Sequence, residues 1–157
     1  MAEYYQWFVL VHLIGLSIFL AGHGVAMFLS FRVRRERDRG RVEELLTMSG
    51  QGSQASLVGL LILVLGGLGA AWVGGILLAP WVVASDVVLI VVYVLMSAIA
   101  SPYYYRMRNA FTGRRGTEPI DDAELFRRLD SRRPEALAAI GTTGLIVLLW
   151  LMVLKPA

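Results

Sequence analysis

A chain of 157 residues that is 57% hydrophobic, with a mean hydropathy of +0.62, is too apolar for an ordinary soluble domain and long enough for one membrane-embedded domain. Its net charge of +3 points to a membrane rather than to nucleic acid, because the arginines stand in two short blocks beside apolar runs. The absence of cysteine excludes disulfides, thiolate metal sites, iron–sulfur clusters and covalent c-type haem attachment.

The first apolar run, residues 5–31, has Glu3 and no basic residue before it and ends in arginines. It therefore reads as a mature transmembrane helix rather than a signal peptide. Both histidines lie on it. His12 and His23 are eleven residues apart, which brings them to nearly the same side of a helix about 16 Å apart along its axis. Measured from Trp7, His12 is about 8 Å deep and His23 about 24 Å deep. Gly15, Gly22 and Ala26 run beside this stripe and leave room for a neighbouring helix or a flat ligand.

Residues 32–56 form the first arginine-rich segment, with Arg32, Arg34, Arg35, Arg37, Arg39 and Arg41. Mixed charges at helical spacing predict that the first helix protrudes before the chain reverses at the Gly/Ser stretch "SGQGS". The second span, 57–78, carries two adjacent ridges of small residues, Gly66, Ala70, Gly74 and Gly67, Ala71, Gly75, which predict close helix packing. The uncharged link "LLAPW" is so short that the second and third spans are expected to form a tight antiparallel hairpin.

The third span, 81–101, places Asp86 about 8 Å and Met96 about 22 Å from Trp81, level with His12 and His23 respectively. A carboxylate facing His12 would fix its tautomer or relay protons, and Tyr93, Ser97, Thr142 and Thr143 are further candidates for a polar interior. Residues 102–136 form the second arginine-rich segment. Within it "TEPIDDAELFRRLDSRRPE" has helix start and stop signals, and Ile120, Leu125, Phe126 and Leu129 give an apolar face suited to the lipid headgroup level. The fourth span covers 137–154.

The expected architecture is an all-α integral membrane four-helix bundle, up-down-up-down, in one domain. By the positive-inside rule both termini face out and both arginine-rich segments are cytoplasmic, in a multi-pass protein of the cell (inner or plasma) membrane. Trp7, Trp72, Trp81 and Trp150 then fall at the outer ends of their spans as an interfacial belt.

"HLIGLSIFLAG", His12 to Gly22, resembles the first-helix signature of small integral membrane proteins related to the copper-resistance protein CopD and the HemJ-type protoporphyrinogen oxidases. The closing "LWLMVLKP" resembles an uncharacterised branch of that group, the predicted integral membrane proteins of unknown function. The resemblance implies a bundle able to hold haem b, with His12 as the metal-ligating residue. It does not extend to protoporphyrinogen oxidation, because "HGVAMFLSF" stands where HemJ-type proteins carry an arginine preceded by proline. Copper handling lacks a Met-rich or His-rich cluster.

Two functions follow as expectations. One is a haem-binding redox protein using His12, His23 and Met96, exchanging electrons with quinone or a partner complex. Because both histidines share one helix, the iron would be five-coordinate, His/Met-ligated, or shared across a homo-oligomer. The other is a non-catalytic accessory or assembly subunit of a larger membrane complex. Transport has less support: there is no inverted repeat, and Pro80, Pro102, Pro119, Pro134 and Pro156 all lie at or beyond span ends. No hydrolase or transferase constellation is present.

Overall fold

The computed structural model describes residues 2–112 and 121–156. Five helices follow in order: α1 (Ala2–Val33), α2 (Arg39–Val73), α3 (Pro80–Thr112), α4 (Asp122–Leu129) and α5 (Arg133–Leu154). No strand occurs among the described residues, and four helices are long and apolar enough to cross a membrane. Those four run alternately up and down. Trp7 and Trp72 share one end of the molecule with Trp81, over whose ring the Lys155 ammonium sits at 5.3 Å.

The chain reverses earlier than the Gly/Ser stretch predicts. Backbone bonds from Arg35 to the Arg32 carbonyl (3.1 Å) and from Glu36 to that of Val33 (3.2 Å) close α1, and Asp38 caps α2 by accepting from the Arg41 amide at 2.9 Å. Residues 49–56 are therefore helical. Their glycines and serines serve as a packing surface for α1 rather than as a turn, which is why the turn signal misleads there.

The seam between α1 and α2 explains this use. Small residues recur every three and four positions on α2, at Gly52, Ser56, Gly59, Gly66 and Ala70, and face Ala26, Gly22, Phe19 and His12 of α1 in constant antiparallel register. A Cβ added at Gly22 would come within 2.5 Å of the Ser56 backbone nitrogen, and one at Gly66 within 2.5 Å of that of His12. Backbone meets backbone from Gly52 to Gly66, and beyond that the His12, Phe8 and Tyr5 rings lie over Gly67, Gly69 and Gly74, a small-residue packing suited to lipid.

The link after α2 does not produce the expected hairpin with α3. Gly74 is the C-cap of α2 and Gly75 adopts φ +67°, with Ile76 bonding back to the Ala71 carbonyl at 2.9 Å and Gly75 to that of Trp72 at 3.1 Å. These bonds close a C-terminal capping motif that needs a left-handed residue. Gly75 thus ends the helix instead of packing it. The small face of α2 is already occupied by α1, so α3 pairs chiefly with α5 and touches α2 only sparsely.

α3 continues through Pro102, which lacks the amide that would bond the Ala98 carbonyl, and ends at Thr112. This extension places Met107, fully buried, against Val33, Val42 and Leu46 of α1 and α2 and Leu125 and Leu129 of α4. α4 is not a lipid-facing surface element: both its leucines have no exposed area. Its apolar face covers the arginine-rich end of the bundle because that end offers an apolar cluster large enough to bury it. Arg37–Asp130 (3.1 Å) and Arg39–Asp122 (2.5 Å) fasten its two ends from outside, and Arg34–Glu135 (2.8 Å) ties α1 to the start of α5 beside it. Ile120 lies outside the described residues.

Candidate functional site

The His23 imidazole is half-buried on α1 about 15 Å from the helix end at Val33, stacked on Phe19 with ring centroids 5.4 Å apart. It makes no hydrogen bond to the described residues. Across the bundle, Gly141 of α5 and Met96 of α3 close on it. A Cβ at Gly141 would stand 3.3 Å from His23 Nε2 and 3.5 Å from Met96 Sδ. The missing side chain is what lets an imidazole nitrogen and a thioether reach the same spot.

Below that spot a cavity of about 630 Å³ opens toward the arginine-rich end, bounded by all four long helices. Its walls are mostly apolar, with Leu46, Leu137, Pro102 and Pro134. The hydroxyl-bearing Ser30, Ser49, Ser53 and Ser101 interrupt them. Two serine hydroxyls are directed at the Ala26 carbonyl, that of Ser30 at 2.7 Å and that of Ser49 at 3.4 Å. The volume is that of a small-molecule pocket, and its few polar groups are of the kind that orient a ligand.

His12 is placed differently. Its Nδ1 lies 2.7 Å from the Leu63 carbonyl of α2, and because a carbonyl only accepts, Nδ1 is the donor. The ring sits over Gly67, where a Cβ would be 2.8 Å from Nδ1. A metal-ligating histidine commonly makes such a bond through its other nitrogen. Here, however, the ring belongs to the α1–α2 seam and not to the cavity.

Of the two pairs matched by depth, the structure brings together only His23 and Met96. Asp86 is partly exposed on α3, makes no hydrogen bond to the described residues, and is not the partner of His12. α3 packs on α5 rather than on α1. Beside it Ser85 is buried and donates to the Trp81 carbonyl at 2.7 Å. Tyr93 is 50% exposed, and Thr142 and Thr143 also lie on the outer surface rather than in a polar interior. Ser97 is partly buried. Among the packing residues, Gly66 and Gly67 receive His12, Ala70 and Ala71 are buried, and Gly74 meets the Tyr5 ring. No group of three or more metal-ligating side chains occurs among the described residues.

Sequence reasoning did not find Gly141, or the Leu63 carbonyl that holds His12. A main-chain acceptor has no signature in side chains. Gly141 is a lone glycine on an apolar helix, and its depth beside Met96 was the only available signal.

Residues 6–156 match the model of a family described as predicted integral membrane protein (DUF2269), and the chain belongs to that family. No curated protein and no solved structure matches it.

Proposed function

We propose that this DUF2269 membrane protein binds haem b in the cavity beside Gly141, with His23 and Met96 as its ligands, and serves in electron transfer. The observation that carries this reading is the convergence of His23 Nε2 (3.3 Å) and the end of the Met96 thioether (Cε 3.3 Å, Sδ 3.5 Å) on the point a Gly141 Cβ would occupy. An imidazole and a thioether form the donor pair of electron-transfer haems, and thioether ligation raises the reduction potential. Bound there, the haem would supply a one-electron centre.

The chain's own residues prepare the place for such a group. Phe19 stacks on the His23 ring, Gly141 lets the imidazole and the thioether come close to α5, and the cavity beside them is mostly apolar. The cavity widens toward the arginine-rich end, which the positive-inside rule assigns to the cytoplasmic face of the cell membrane. Quinone in the bilayer or a neighbouring membrane complex would be the electron partner.

The test is a dithionite-reduced minus oxidised absorbance spectrum of the detergent-purified protein, expressed with added haem precursor. Haem bands are expected in the native protein and in His12→Ala, lost in His23→Ala and Gly141→Val, and shifted in Met96→Ala. Bands that survive His23→Ala and vanish in His12→Ala would move the ligand to the α1–α2 seam. If stable, folded protein of every variant lacks bands, the accessory-subunit reading takes over, which the His12–Leu63 bond favours by giving that histidine a purely structural task.

A further inference from the structure

The five arginines from Arg32 to Arg39 around the α1–α2 turn fall into two sets, while the exposed Arg41 stands beyond them on α2, where its charge acts on Glu36. Arg34, Arg37 and Arg39 reach inward to Glu135, Asp130 and Asp122, and the guanidinium groups of Arg37 and Arg39 lie 5.4 Å and 5.1 Å from the Phe126 and Phe111 ring centres. Arg32 and Arg35 are exposed, and neither side chain has a hydrogen bond, ion pair or ring contact with the described residues. The backbone bond from Arg35 to the Arg32 carbonyl, 3.1 Å, keeps them on one turn, so their side chains lie on the same side.

That side is the lipid boundary. Phe28, one turn before Arg32, is 69% exposed, and Val25 before it is 49% exposed. The acids nearest in sequence do not neutralise the pair. Glu36 accepts from the amides of Arg37 and Asp38 at 2.9 and 3.1 Å, and Asp38 accepts from that of Arg41. Both carboxylates are turned into the loop.

We propose that Arg32 and Arg35 form a binding site for the phosphate of an anionic phospholipid headgroup, while Arg34, Arg37 and Arg39 serve internal fastening. Two guanidinium forks on one turn at the membrane edge suit phosphodiester oxygens, and an anionic leaflet supplies them. This assignment is independent of the cavity and of haem.

The experiment reconstitutes the protein into phosphatidylcholine vesicles with or without phosphatidylglycerol and follows thermal unfolding by tryptophan fluorescence. Phosphatidylglycerol is expected to raise Tm by about 4 °C in the native protein and in Arg37→Gln. The increment should disappear in Arg32→Gln/Arg35→Gln, and persist in part in Arg32→Lys/Arg35→Lys. Lipid retained through purification, counted by mass spectrometry, provides a second readout if the glutamine variant is unstable. The site is overturned if the increment survives Arg32→Gln/Arg35→Gln, if Arg37→Gln abolishes it equally, or if phosphatidylglycerol gives none in the native protein. Inorganic phosphate reproducing the shift in phosphatidylcholine vesicles would overturn the lipid assignment in favour of a free anion.

Discussion

Along α1 and α2 the backbones touch, whereas along α3 and α5 side chains stand between them. A Cβ at Gly59 would strike the Phe19 backbone, but one at Gly144 would meet only the Val92 side chain, at 2.6 Å. Lipid offers little hydrophobic reward for bringing two apolar helices together, so tight association depends on close packing and cross-helix hydrogen bonds. The first pair has both, through its glycines and the His12–Leu63 bond. The second has neither to the same degree, and the cavity lies where it meets the first. One half of the bundle is a rigid support, and the other leaves room for a ligand.

The sharpest way to break this comparison is to fill a glycine on each side. Gly59→Ala forces the α1 and α2 backbones apart and is expected to cost about 3 kcal/mol or more in reversible unfolding from mixed detergent micelles. Gly144→Ala meets the stiff Val92 side chain rather than backbone and is expected to cost less, about 1–2 kcal/mol. Equal penalties would mean that the two pairs are held alike.

The clamp over the arginine-rich end comes next. Leu129→Ala removes a side chain with no exposed area from the cluster that joins α4 to both pairs, and a loss of about 2–3 kcal/mol is expected. Arg37→Gln, which breaks an exposed ion pair, should change stability by less than about 1 kcal/mol in the same assay. If Arg37→Gln costs more than Leu129→Ala, fastening is electrostatic rather than apolar. His12→Ala tests the seam itself: cross-helix bonds in membranes average about 0.6 kcal/mol, so a loss of about 1 kcal/mol including packing is expected.

The number of the spans and their alternation were legible because twenty-residue apolar runs separated by charged or turn-rich links are a composition signal that lipid imposes directly, whereas α2 and α3 run well beyond the apolar stretches 57–78 and 81–101. The pairing of the helices was only half legible. The ridge at Gly66 and Ala70 correctly asks for a close neighbour, but a ridge does not name its partner, and the short link to α3 points to the wrong one. The same small residues that mark a turn in water mark a helix interface in lipid, which hid residues 49–56. Of the candidate site, the shared depth of His23 and Met96 was readable from helical rise. Rotation about each helix axis was not, and it separates Asp86 from His12 and turns Tyr93, Thr142 and Thr143 outward.

The smallest expected effect concerns the turn that closes the rigid pair. The amides of Asp38 and Arg37 donate to the Glu36 carboxylate and hold it below the ordinary glutamate value of 4.5, against an opposing effect of burial and of the Asp38 charge and with help from the charge of Arg41. A carboxyl whose folded value is depressed contributes stability that is fully present above its unfolded value and is lost as pH falls through the folded one. Native protein should therefore lose its advantage over Glu36→Gln progressively as pH drops below about 4.5, while the difference stays constant from there to neutrality. Subtracting the two unfolding curves cancels the carboxylates that do not interact with Glu36. A difference that grows on acidification would mean that Glu36 strains the turn instead of closing it, and one that is absent at all pH values would mean that the glycine seam alone keeps α1 and α2 together.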